Sequence, residues 1–115
     1  MYYPNAIPNQ KVMSNTLINL GNAPNLKGFH YLKECIESTI TNFNQLHILY
    51  NLVAQKHNVS QKSIQRAIRF SIINTWRRRN QNLSKEIFGY ICQNDYDYPT
   101  NEVYITAIAE WIRYQ

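Results

Sequence analysis

At 115 residues and a net charge of +5, the chain has room for one modest hydrophobic core and not for two. A hydrophobic content of 44%, with nine tyrosines and only three glycines, excludes a disordered or fibrous chain. The uncharged runs are too broken by Asn, Gln, Ser and Thr to reach the roughly 20 apolar residues of a membrane span. The start MYYPNAIPNQK has neither a basic leader nor an apolar h-region, so it is no secretory signal, and a cytoplasmic protein is expected.

Residues 1–13, with Pro4, Pro8 and no periodicity, read as a mobile arm to a single domain spanning 1–115. A short helix is predicted from Val12 to Leu20, burying Val12, Met13, Leu17, Ile18 and Leu20 and ended by Gly21. Past Pro24, Gly28 opens a helix over Phe29 to Thr41, where Phe29, Leu32, Ile36 and Ile40 recur at helical spacing and Tyr31 and Cys35 extend the face. Glu34 and Glu37 on this helix read as a solvated pair. Asn42, Asn44 and Gln45 break the pattern before the next helix, Leu46 to His57.

Leu46 to Arg79, LHILYNLVAQKHNVSQKSIQRAIRFSIINTWRRR, carries the register of a helix-turn-helix. Ala54 stands at the crowded crossing of two helices and Val53 precedes it. Asn58 falls where the turn needs a left-handed backbone, and Ser60 suits the N-cap of the second helix. Val59, Ile64 and Ala67 supply the following apolar contacts. One position departs, since His57 sits where an apolar residue is usual.

Charge singles out the same stretch. Lys56, Lys62, Arg66, Arg69, Arg77, Arg78 and Arg79 are seven of the twelve basic residues, and no Asp or Glu occurs between Ser38 and Ser84. Stepping about 100° per residue puts Ile64, Ala67, Ile68, Ser71, Ile72, Thr75 and Trp76 on one side of the second helix. Lys62, Arg66, Arg69, Ile73 and Arg77 lie on the other, flanked by Gln65 and Phe70. A merely solvated face mixes both signs, whereas this one carries a single sign and suits the phosphates of double-stranded DNA.

Beyond the break at Asn80 to Asn82, a short helix from Leu83 to about Ile91 is expected to bury Ile87, Phe88 and Tyr90. A turn at Asp95 to Pro99 follows. Thr100 or Asn101 then caps a last helix ending near Arg113, with Val103, Ala107, Ile108, Trp111 and Ile112 inward. No alternating strand pattern of useful length occurs, so the fold is predicted all-α, with about six helices around the helix-turn-helix.

Little points to catalysis. His30, His47 and His57 show no metal-motif spacing, Cys35 and Cys92 form no CxxC pair, and there is no glycine-rich phosphate loop. Neither catalytic residue, metal nor cofactor is assigned. An interaction module of the same fold, offering Ile73 or the tyrosine-rich acidic C-terminal third to another regulator or to RNA polymerase, is the rival to DNA binding. RNA recognition ranks behind both, because the basic helix offers only Phe70 for stacking.

The motifs KGFxYL (Lys27 to Leu32), RAIR (Arg66 to Arg69) with Trp76 following, FGY (Phe88 to Tyr90) and PTN (Pro99 to Asn101) resemble the C-terminal effector domain of the stage-zero sporulation response regulator of endospore-forming Firmicutes. The likeness runs from about Val12 to Arg113. It implies a six-helix DNA-binding domain that recognises boxes of the TGTCGAA type, with Arg66 and Arg69 on the recognition helix. The partners it implies are the sigma subunit of RNA polymerase and a second copy on tandem sites. Departures fall at Gln65, Ser63, Phe70 and Arg79, where the family usually has Glu, Arg, His and Gly. No counterpart of the family's phospho-receiver domain is present, and the start MYYPNAIPN, unlike a clipped linker, favours a stand-alone relative over an excised domain. The resulting DNA-binding set is Lys56, Ser60, Lys62, Ser63, Gln65, Arg66, Arg69, Phe70, Arg77 and Arg78.

Overall fold

A computed structural model describes residues 10–42, 45–89, 91, 94 and 96–114. Among these it has six helices and no strand: α1 (Gln10–Leu20), α2 (Lys27–Asn42), α3 (Leu46–His57), α4 (Gln61–Trp76), α5 (Gln81–Phe88) and α6 (Asn101–Arg113). Most of the expected arm lies outside the described residues, but α1 begins at Gln10, ahead of the expected Val12. Met13, Leu17 and Leu20 are its inward residues. Val12 and Ile18, expected inside, are exposed, because the buried stripe of so short a helix is narrower than its run of apolar residues.

Helix α1 ends as its sequence implies. Gly21 takes a positive φ, its N–H bonds Ile18 O at 3.0 Å, and the Asn22 N–H bonds Leu17 O at 2.9 Å. This pairing is a Schellman end, which satisfies carbonyls the helix leaves open.

Helix α2 runs through the middle, packed on α3, α4 and α6. Phe29, Leu32, Ile36 and Ile40 are buried as the spacing predicts, with Tyr31 and Cys35 beside them. Burial pushes the Cys35 thiol up to about 12, so it behaves as a small apolar side chain. At the other end of α2, Arg113 from α6 donates to the carbonyls of Thr39 and Ile40 at 3.3 and 3.2 Å. A cation placed there complements the helix dipole.

The remaining elements differ from expectation in detail. Helix α5 starts at Gln81, capped by Asn80, whose side chain accepts from the Leu83 N–H, and stops at Gly89. Ile91 is exposed, and Tyr90 lies outside the described residues. Thr100 caps α6. The inward face of α6 is rotated from the one predicted: Tyr104, Ile105, Ile108, Ala109 and Ile112 are buried, while Val103, Ala107 and Trp111 lie at its edge. Tyr104 is apolar enough along its ring to take the innermost position once its hydroxyl has partners.

Those partners form a polar cluster inside the core. Asn22 Nδ2 and the Tyr104 hydroxyl lie 2.9 Å apart. Thr75 Oγ1 stands 2.9 Å from Asn22 Oδ1 and donates to Ser71 O at 2.7 Å. One loop asparagine thereby joins α1, α4 and α6 with its amide satisfied, as a buried amide must be. Burial also raises the Tyr104 phenol well above its ordinary value, so it stays neutral.

Candidate nucleic-acid interface

The two helices of the expected reading unit occur as predicted. Helix α3 ends at Asn58, which has φ 55° and ψ 46°. Its N–H returns to Gln55 O and the Val59 N–H to Ala54 O. Asparagine tolerates this left-handed backbone better than most residues, so the turn is made without glycine. Ser60 then accepts from the Ser63 N–H at 3.0 Å and starts α4. Ala54 and Val53 are buried at the crossing, but Val59, expected to pack, is exposed. Its backbone is committed to closing α3, and its side chain is turned outward.

Helix α4 is seated by its inner face: Ile64, Ile68, Ser71, Ile72, Thr75 and Trp76 are all buried, with Ala67 packed at the edge. Gly28 of α2 makes this seat possible. A Cβ on Gly28 would stand 2.1 Å from Ser71 Oγ and 2.2 Å from Ala67 O, so the two helices meet backbone to backbone there. At the far end Trp76 is fully buried. It stands edge-on to Phe88, which stacks on Tyr104, so α4 is locked to α5 and α6 together.

The outer face divides into free and engaged side chains. Lys62, Arg66 and Arg78 are exposed, and their side chains make no hydrogen bond or ion pair among the described residues. Phe70 is 62% exposed beside them. Ser63 is exposed, but its hydroxyl shares the cap with Ser60 at 2.9 Å. Gln65 is half-buried, and its backbone carbonyl accepts from Asn101 Nδ2 at 3.4 Å.

Four basic residues that look alike in sequence are engaged. Arg69 donates through Nη1 to Pro99 O at 2.5 Å and lies over the Tyr98 ring, 5.9 Å from its centroid. Arg77 donates through Nε to the Tyr98 hydroxyl at 3.3 Å. Arg79, counted with the basic element from its sequence, is 7% exposed. It folds back to donate to Trp76 O at 2.7 Å and covers the indole ring at 4.4 Å, so it closes the end of α4 and does not contribute to the outer face.

Lys56 is 69% exposed but sits 2.6 Å from Glu34 Oε1, whose other oxygen is 2.5 Å from His57 Nε2. Partial burial works to raise the Glu34 carboxyl, but hydrogen bonds from Lys56 and His57 outweigh it and hold the group below its ordinary value. Glu34 and Glu37 are therefore no simple solvated pair: Glu34 bridges α2 to the end of α3, and Glu37 accepts from Gln10 at 2.6 Å. His57 also lies edge-on to Tyr31, 5.1 Å between ring centroids. An imidazole fits the place of the usual apolar residue because one side meets a ring and the other a carboxylate.

The partners of Arg69, Arg77 and Lys56 are remote in sequence and not legible from spacing. Tyr98 and Pro99 lie far along the chain from α4, and Glu34 lies a full helix before Lys56. The family model for the sporulation initiation factor Spo0A C terminal matches residues 13–112.

Proposed function

The chain belongs to the sporulation initiation factor Spo0A C-terminal family, the DNA-binding end of a sporulation transcription factor, and from that premise we propose that it regulates transcription by reading a short promoter box in the major groove with α4. The observation that carries this reading is the outer face of α4, where Lys62 and Arg66 stand exposed without intramolecular partners among the described residues on a helix whose opposite face is fully seated. A helix-turn-helix presents the N-terminal half of its second helix to base edges.

Arg66 is the proposed base reader, its guanidinium gripping guanine O6 and N7 together. Gln65 offers a donor and an acceptor, which suits adenine N6 and N7 where the family's glutamate would suit cytosine N4. Phe70 meets the floor or wall of the groove. Lys62, Arg78 and Lys56 neutralise phosphates, and Arg69 and Arg77 join them from the positions that Tyr98 and Pro99 give them. Ser60 and Ser63 bring the first turn of α4 and its N–H groups to the backbone. Two copies on tandem boxes and contact with the sigma subunit of RNA polymerase complete the proposal.

A second reading, the same fold acting on a protein, is favoured by one observation. Ile48 and Leu52 are exposed one turn apart on the outer side of α3. Selection of bound duplexes from a random pool at several salt concentrations separates the two. A recovered consensus supports promoter reading. Absence of duplex binding at moderate salt would favour the protein partner.

A further inference from the structure

One tyrosine, remote in sequence from the recognition helix, touches an arginine of that helix and the arginine at its C-cap. The Tyr98 hydroxyl accepts from Arg77 Nε, and the Tyr98 ring lies under the Arg69 guanidinium. The next residues continue along the same helix: Pro99 O takes Arg69 Nη1, and Asn101 Nδ2 reaches Gln65 O. Thr100 between them caps α6, so this strap is anchored to the core at its far end.

We propose that Tyr98 is a positioning residue that presets Arg69 and Arg77 as a two-armed clamp for DNA phosphates. The inference rests on the reading of α4 as the DNA-facing helix and names a part of that site which the helix does not itself contain. A guanidinium is a rigid planar fork with five N–H donors. Fixing Arg77 through Nε sets the plane of the fork and leaves both Nη groups for the two oxygens of one phosphate, the bidentate arrangement that arginine makes best. Arg69, held through Nη1 and one π face, keeps Nε and Nη2.

Arg77, the helical C-cap of α4, lies eight positions beyond Arg69, about 12 Å along the helix axis, so the clamp addresses two separate phosphates. An arginine that is already ordered loses less conformational freedom on binding, and its affinity rises for that reason alone. Phosphate contacts fix the register of a protein on the duplex, so a preset clamp also fixes where Arg66 falls among the bases.

The test is a double-mutant cycle read by duplex binding across a salt series. Tyr98→Phe keeps the ring under Arg69 and removes the acceptor for Arg77. It is expected to weaken specific and random duplexes alike by about threefold to tenfold, the cost of ordering one long side chain on binding. The slope of log affinity against log salt should not change, because Arg77 still reaches its phosphate once bound. Arg77→Ala should flatten that slope by about 0.9, and adding Tyr98→Phe to it should cost nothing more.

Tyr98→Leu, which removes the ring too, should lose more than Tyr98→Phe, the excess vanishing in an Arg69→Ala background. Equal losses from Tyr98→Phe with and without Arg77, or parental affinity in Tyr98→Phe, would overturn the assignment while leaving duplex binding intact. Failure of the parent protein to bind any duplex would instead overturn the reading of α4 itself.

Discussion

Gly28 lies flat against Ala67: a Cβ on the glycine would stand 2.2 Å from the alanine's carbonyl oxygen and 2.8 Å from its carbonyl carbon. Both atoms are backbone of a seated helix, so neither has a rotamer through which to move away. Gly28→Ala is expected to cost about 3 kcal/mol, the upper end for an overpacked core, a large share of the stability of a small domain. Urea denaturation measures it, and an unchanged midpoint would show that α2 and α4 can slide apart without penalty.

The Asn22 cluster makes a second expectation. Asn22→Ala removes the amide to which the Tyr104 hydroxyl is hydrogen-bonded and strands that hydroxyl inside the core. It should cost about 1–3 kcal/mol, the penalty of a buried polar group left unpaired. Tyr104→Phe removes the stranded group, so the double variant should be less destabilised than the sum of the two singles. Thermal unfolding of the four proteins decides the matter, and strict additivity would mean that the cluster is not coupled.

Glu34 links stability to pH. Its carboxyl is held low by Lys56 and His57, so its contribution is fully present above the ordinary glutamate value of roughly 4.3 and is lost as pH falls through the lowered one. Glu34→Gln should therefore lower stability near neutrality and converge with the parent in acid. The loss is small, because Lys56 is largely exposed and exposed pairs contribute little. Freed of its partner, Lys56 should steepen the salt dependence of duplex binding by up to about 0.9 of a log unit per log unit of salt. An affinity unchanged at every salt would remove Lys56 from the interface.

Phe70 gives a prediction about bases. An apolar ring on the groove side meets the 5-methyl group of thymine well, and no core demands this ring at 62% exposure. Replacing thymines by uracil one at a time in the selected box should reveal one position where the parent loses affinity and Phe70→Ala does not. Binding by Phe70→Ala that tracks the parent at every substituted thymine would place the ring outside the groove.

The helix-turn-helix was legible because its constraints are local. The left-handed Asn58 and the Ser60 cap each lie within a few residues of what they satisfy, and the buried stripe of α4 follows from its period alone. Helix α6 was read with its face rotated because hydropathy ranks Trp111 above Tyr104. The latter can go inside only through Asn22, which a different loop supplies. Basic residues carry no sign in sequence of whether they face solvent. Arg79 is turned back by an indole and a carbonyl beside it, and Arg69 by a segment remote from it.

Arg66 bears the central claim. It is exposed in the N-terminal half of the recognition helix, and its side chain makes no hydrogen bond or ion pair to another described residue. The most direct measurement is duplex affinity of the parent and Arg66→Ala for the selected box, for its four base-pair variants at each position, and for random DNA. A loss of about 1–3 kcal/mol is expected on the best site, with preference flattened at one G·C pair. An equal loss on every duplex, with all base preferences kept, would contradict the claim and make Arg66 one more phosphate contact.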